Sequence, residues 1–195
     1  MNRFLLPAGL FGLLVALLFV GIQRSPQKGV IPSALLGKPA PVFRLPSLDG
    51  SADFDSASMR GRWHLLNVWG TWCPECRVEH EMLLEIARSD DIVIIGLNWK
   101  DEDLLAQRWL AELGDPYDAV PVDRDGQVAI EWGVYGAPET FLIDDQGIVR
   151  HRHVGAMTAE VWAREFLSRM PPRQTVPDGP VMVPAPGAPG APVEG

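Results

Sequence analysis

Cysteine is nearly absent from this chain of 195 residues, which has only Cys73 and Cys76. Two cysteines cannot staple a disulfide scaffold, so the fold must rest on its core and the pair needs a local explanation. Histidine stops at four, His64, His80, His151 and His153. There is one C-x-x-C and no H-x₃₋₅-H, so the common ligand sets of structural zinc are missing. His151 and His153 share a face of an expected strand, which leaves a Cys₂His₂ site conceivable. They read more simply as alternating with Arg150 and Arg152 on a solvent-facing edge. Basic charge is short as well: 17 Lys and Arg stand against 25 Asp and Glu, a net −8. An acidic chain without a basic stripe excludes a nucleic-acid surface.

Acids are absent from residues 1–28, which carry Arg3, Arg24 and Lys28. Between them "FLLPAGLFGLLVALLFVGI", Phe4 to Ile22, has no charged residue. Its length approaches the ~20 residues a helix needs to cross a ~30 Å hydrocarbon core. The run closes on "FVGIQRS", a poor cleavage site, so it reads as an uncleaved anchor rather than a secretory signal. Basic residues at both ends leave the orientation open. Residues 1–27 are thus assigned as anchor and start of a linker, 28–38 as linker and 39–170 as a folded domain. Residues 171–195, with eight Pro and four Gly, are expected to be disordered, because such a stretch buries too little apolar area to offset its ordering entropy.

Within 39–170 strand and helix patterns alternate. "WHLLNVWG" (63–70), "DIVIIGLNW" (91–99), "AVPVD" (119–123), "TFLIDD" (140–145) and "IVRHRHV" (148–154) read as strands, the last two as a hairpin. Helices are expected over 74–89, 101–114 and 158–170, with Pro74 suited to the first helical position and Thr158 to an N-cap. This is an α/β pattern: a central mixed sheet covered by helices, closed by an antiparallel hairpin.

The cysteines lie in "NVWGTWCPECRVEH". Haem attachment needs His directly after the second cysteine, and Arg77 stands there. A peroxidatic site would need Thr and Pro where Gly70 and Leu66 stand. Dithiol–disulfide exchange fits best. Cys73 falls where a strand meets a helix, and the free N–H groups at a helix N-terminus stabilise a thiolate. Two residues between the cysteines let Cys76 reach back to Cys73 within one turn. Trp72 adds a flat apolar surface for a partner chain. Glu75 beside the thiolate opposes the helix end, so the two effects nearly cancel and the couple is expected to be more reducing than one whose thiolate is stabilised.

Taken with "GLNWKDE" and "GVYGAPETFLIDDQGIVRHRHVG", this segment resembles the membrane-anchored thioredoxin-like proteins of cytochrome c maturation, the DsbE/CcmG family of thiol:disulfide interchange proteins. The similarity spans roughly 37–170; the long tail after Pro171 is a departure from the family, and Trp99 replaces an expected Tyr. The resemblance implies a thioredoxin-like fold with an N-terminal transmembrane helix, in the bacterial inner membrane, with the domain in the periplasm. It implies a protein-disulfide reductase that takes electrons from a transmembrane thiol reductase. These pass to apocytochrome c or to a dithiol protein of the maturation complex, with no cofactor beyond the Cys73–Cys76 disulfide and no metal. A general periplasmic thiol–disulfide reductase or oxidase is the alternative.

On the same resemblance Cys73 is the exposed attacking thiolate and Cys76 the buried resolving thiol. Glu79, three residues on and on the same helix face, accepts or relays the Cys76 proton. Asn67 stands about where ordinary thioredoxins keep a buried Asp, and cannot take that proton. Pro138 matches the proline held in cis opposite the cysteines, so Ala137–Pro138 is expected to be cis. Together with Trp72, Pro74 and Glu75, the residues Tyr135, Ala137, Pro138 and Glu139 are expected at the partner groove.

Overall fold

The computed structural model describes residues 5–23, 34–89 and 92–171. It divides into an N-terminal unit holding α1 (Leu5–Gln23) and a second unit holding every other described element. The tail from residue 172 and the linker from 28 to 33 lie outside the described residues. The side chains of α1 over 9–21 are exposed. Among the described residues no helix is long and apolar enough to cross a membrane.

In the second unit, β1 (Arg44–Leu45) and β2 (Phe54–Asp55) form a small hairpin. Then come β3 (His64–Trp69), α2 (Pro74–Arg88), β4 (Val93–Trp99), α3 (Asp103–Leu113), β5 (Val122–Asp123), α4 (Gln127–Glu131), β6 (Glu139–Ile143) and β7 (Val149–Val154). The sheet order is β5-β4-β3-β6-β7. Strands β3, β4 and β5 run parallel, and β6 and β7 are antiparallel to their neighbours. The mixed sheet expected from the alternating pattern is therefore present, with β3, buried along its whole length, at its centre.

Period-two alternation gives the sheet two apolar faces. Leu66, Val68, Ile95, Leu97, Phe141 and Ile143 meet Phe43, Met59 and the α4 residues Val128 and Ala129 on one side. Leu65, Ile94 and Leu142 meet Leu83 and Ile86 of α2, with Trp162 and Phe166, on the other. Both faces being covered explains why β3 and β4 are mostly apolar rather than alternating.

Four expectations change. The hairpin β1–β2 was not foreseen, its strands being two residues long. The short α4 was not foreseen either; the buried Asp123 caps it by accepting from the amides of Val128 and Ala129. The linker ends before 38, because Gly37 N–H donates to Val149 O and Val149 N–H to Lys38 O, fixing this segment beside β7. The helix expected over 158–170 has its Thr158 cap, but Ala159–Val161 passes into a π turn, Trp162–Phe166, and a 3₁₀ turn. Trp162 and Phe166 stack inward at 5.8 Å while Glu165 accepts from His151 and His153 of β7.

Candidate active site

Strand β3 delivers the chain to the site. After Trp69 the turn Gly70-Thr71-Trp72 is held by Asp101, which starts no helix of its own. Its carboxylate accepts from Thr71 N–H at 2.6 Å, Thr71 Oγ1 at 2.6 Å and Asn98 Nδ2 at 3.0 Å. Trp72 is half exposed; its indole N–H donates to Trp99 O at 3.1 Å, and the two rings meet edge to face. Gly70 leaves room for that indole: a Cβ there would sit 2.5 Å from Trp72 Nε1.

Cys73 is the N-cap of α2 and Pro74 its first residue; Cys73 Sγ accepts from Cys76 N–H at 3.1 Å. A thiolate at this atom would meet the same donor, so the helix end supports the charge. In this structure Cys73 and Cys76 are joined in a disulfide with Cα atoms 5.3 Å apart. Cys73 was expected to be exposed, but only 2 % of its surface is accessible, against 3 % for Cys76. Both sulfurs belong to a packed group with Trp69, Ala106 and Leu110, against which Ala137 rests. Around them Pro74, Glu75 and Arg77 are exposed. The Arg77 guanidinium lies over the Trp109 ring at 5.3 Å.

One turn into α2, Glu79 has no exposed surface. Its Oε1 accepts from Asn67 Nδ2 at 2.8 Å and its Oε2 from Met157 N–H at 2.8 Å. No ion pair reaches it among the described residues. Burial pushes its pKa up to about 7, opposed by those two hydrogen bonds. A carboxyl group poised near neutrality, one helical turn from Cys76, can take and return a proton at working pH. Its neighbour His80 is neutral, Nε2 donating to Gly114 O and Nδ1 accepting from Trp109; burial lowers its pKa.

The Ala137–Pro138 bond is cis. Ala137 is half buried, Pro138 buried and Tyr135 half exposed. Glu139 corrects an expectation: it is not at the partner surface but fully buried, paired with Arg152 at 2.7 Å. Arg152 also leaves the solvent-facing edge expected for it, because β7 turns it inward across from Phe141. The guanidinium donates to Glu139 Oε2 twice and to Gly133 O, while Glu139 Oε1 accepts from Tyr135 N–H. The Tyr135 ring lies on the guanidinium at 4.9 Å. A buried ion pair thus fixes the loop that carries Tyr135 and Pro138. His151 and His153 are half buried on Glu165, and among the described residues no group of three or more His, Cys, Asp or Glu is placed to hold a metal.

Sequence reasoning gave Asp101 no role beyond a possible helix start, set Arg152 on a solvent-facing edge and passed over Tyr117. Asp101 sits in a loop and Arg152 in an alternating charged strand, with no signal in either. Tyr117 had one: Gly96 interrupts the β-branched run of β4, as glycine does where something approaches closely. A Cβ on Gly96 would lie 2.7 Å from the Tyr117 ring.

Residues 35–166 match the Redoxin family. A thiol:disulfide interchange protein DsbE of Allochromatium vinosum is 49% identical over 166 residues, covering 85% of this chain and 91% of the relative. The protein of that name from Pseudomonas aeruginosa is 47% identical over 163 residues, covering 83% and 89%. A solved structure of such a protein from Chlorobium tepidum aligns with a TM-score of 0.55 at 28% identity, covering 66% of this chain and 91% of that one. A redox-active C-x-x-C at a helix N-terminus, a proline beside it and identity of this extent make the chain a member of the DsbE family of thiol:disulfide interchange proteins, a thiol–disulfide oxidoreductase on a thioredoxin-like fold.

Proposed function

We propose that this oxidoreductase works as a reductase anchored in the bacterial inner membrane. Its domain lies in the periplasm and keeps the C-x-x-C of apocytochrome c, or a dithiol protein of the maturation complex, reduced for haem attachment. The observation that carries the reading is Glu79, a buried carboxyl group near neutrality one turn behind Cys76. The resemblance of "GVYGAPET" to the cytochrome c maturation proteins supports the substrate, and the uncharged run from Phe4 to Ile22 supports the anchor.

In the reduced pair the Cys73 thiolate attacks one sulfur of the partner disulfide. The Cys73–partner S–S bond forms, the partner's own S–S bond breaks, and the released partner thiolate takes a proton. Cys76 then gives its proton to Glu79 and attacks Cys73 Sγ. The Cys73–Cys76 bond forms, the second partner thiolate leaves, and two electrons have passed to the partner. Cys76 must lose its proton before it attacks, and Glu79 is the acceptor placed within one turn of it. A transmembrane thiol reductase would return the pair to the dithiol.

The reduction potential of the full chain in detergent tests the direction. A value of ~−200 mV or lower, together with reduction of an oxidised C-x-x-C-H peptide, is expected. A value near ~−120 mV would make the chain an oxidant, and failure on the peptide would leave a general thiol–disulfide reductase.

A further inference from the structure

Glu79 is the end of a hydrogen-bond chain rather than an isolated acid. Asn67, fully buried at the centre of β3, stands between Gly96 of β4 and Thr140 of β6 in register. All four of its hydrogen-bonding positions but one are used. Its Nδ2 donates to Glu79 Oε1 at 2.8 Å and to Thr140 Oγ1 at 3.0 Å, and its Oδ1 accepts from Tyr117 Oη at 2.9 Å. The Tyr117 ring reaches this point only because Gly96 has no side chain to block it. Stacked on Trp69 at 5.4 Å, the ring is fixed from its other side. Its outer side borders a cavity of about 250 Å³ that Leu48, Gln107 and Asp115 also line.

The sense of the chain is set. Asn67 carries both acceptor and donor on one amide, and a carboxylate at Glu79 requires the donor. When Tyr117 donates to Oδ1, it polarises the amide and strengthens the N–H bonds on the other side. The charge on Glu79 is thus supported from a hydroxyl it does not touch. Here Asn67 does not accept the proton; it decides how readily another group holds one.

We propose that Tyr117 and Asn67 are positioning residues of the exchange reaction, acting through one hydrogen-bond chain to keep Glu79 able to take the proton of Cys76. The inference rests on the proposed role of Glu79. Cys76 precedes Glu79 by three residues on α2, and the groups bonded to Glu79 are Asn67 of β3, with Thr140 of β6 behind it, and the Met157 N–H after β7. Tyr117 and, beyond it, Asp115 complete the surroundings, both acids whose pKa burial raises. His80 points to Gly114 and Trp109 instead. No cation among these groups competes with the amide for control of the carboxyl.

The test is a carbon-13 titration of the Glu79 carboxyl in the full chain in detergent, the resonance identified by its loss in Glu79→Gln. Asn67→Leu removes a hydrogen bond to the charged form and is expected to raise the Glu79 pKa by about one pH unit. Tyr117→Phe keeps the ring and its stack, and is expected to raise it by a fraction of that. In the Asn67→Leu background, Tyr117→Phe is expected to add nothing, the non-additivity of residues acting through one another. A Glu79 titration unmoved by Tyr117→Phe, or moved equally with and without Asn67, overturns the proposal. Should Asn67→Leu not fold, Tyr117→Phe alone decides. The pH profile of exchange with a small aromatic disulfide separates the two readings. If that profile ignores Glu79→Gln while the titration still follows Tyr117, the role of Glu79 fails and the chain that tunes it stands.

Discussion

Arg152 and Glu139 show how a charged pair can carry the geometry of a site it does not join. With 4 % and none of their side chains exposed, neither charge can be solvated if the other is removed. Arg152→Met should therefore cost about 3–5 kcal/mol in denaturant unfolding, because it leaves a carboxylate buried and unpaired. Arg152→Met with Glu139→Gln should recover most of that loss. If the single variant costs no more than the double, the pair is not what holds the Tyr135–Pro138 loop. At Glu79 the expectation concerns rate. Glu79→Gln should slow resolution of the mixed disulfide and remove the inflection near pH 7 from the exchange profile; an unchanged profile would exclude it as the Cys76 proton acceptor.

At the scale of elements, two glycines decide where aromatic rings go. Gly96→Ala would drive a Cβ into the buried side of the Tyr117 ring. Overpacking of this kind costs roughly 1–3 kcal/mol, and the displaced hydroxyl would leave Asn67. Gly70→Ala meets Trp72 instead, a half-exposed side chain that can swing into solvent. Thermal unfolding should accordingly separate them, with a clear loss for Gly96→Ala and little for Gly70→Ala. The latter should still change Trp72 fluorescence and weaken capture of a C-x-x-C-H peptide. Equal losses in stability would contradict this division. The helices were legible wherever an apolar stripe met a sheet, as in α2. The π turn was not, since its residue Glu165 is bonded to His151 and His153 of β7, a contact that no pattern within 158–170 announces.

For the whole molecule, two buried groups titrate in opposite senses. His64 is held neutral by burial, its pKa lowered to about 4. The unfolded chain binds that proton between about pH 4 and 6.5 while the folded one does not, so stability is lost as pH falls through this range. Glu79 is raised to about 7, and the folded state binds the extra proton between about pH 4.5 and 7, so stability is lost as pH rises. Each effect is on the order of 3 kcal/mol, and between about pH 4.5 and 6.5 the two oppose one another. Glu79→Gln should remove the opposing effect: its melting temperature should climb from about pH 4.5 to 6.5 more steeply than that of the wild type. A level curve in both would mean that His64 is not held neutral in the folded protein. The proposed periplasmic placement has its own check, as protease added to spheroplasts should digest the domain.

What the sequence by itself determined was the reaction class and the sheet that supports it. The spacing of Cys73 and Cys76, the apolar strand before them and the helical stripe after them are local patterns, and local sterics and burial suffice to produce them. Three-residue spacing likewise put Glu79 on the face of Cys76. What only the tertiary structure decided was the company these residues keep. Asn67 looked like a poor substitute for an acid until Tyr117, fifty residues away, and Thr140 were brought to it across the sheet. Glu139 looked like a groove acid until β7 delivered Arg152 beneath it. A buried polar group is defined by partners that arrive from distant parts of the chain, because burial makes an unpaired donor or charge too costly to leave; its role is therefore fixed by packing and not by its place in the sequence.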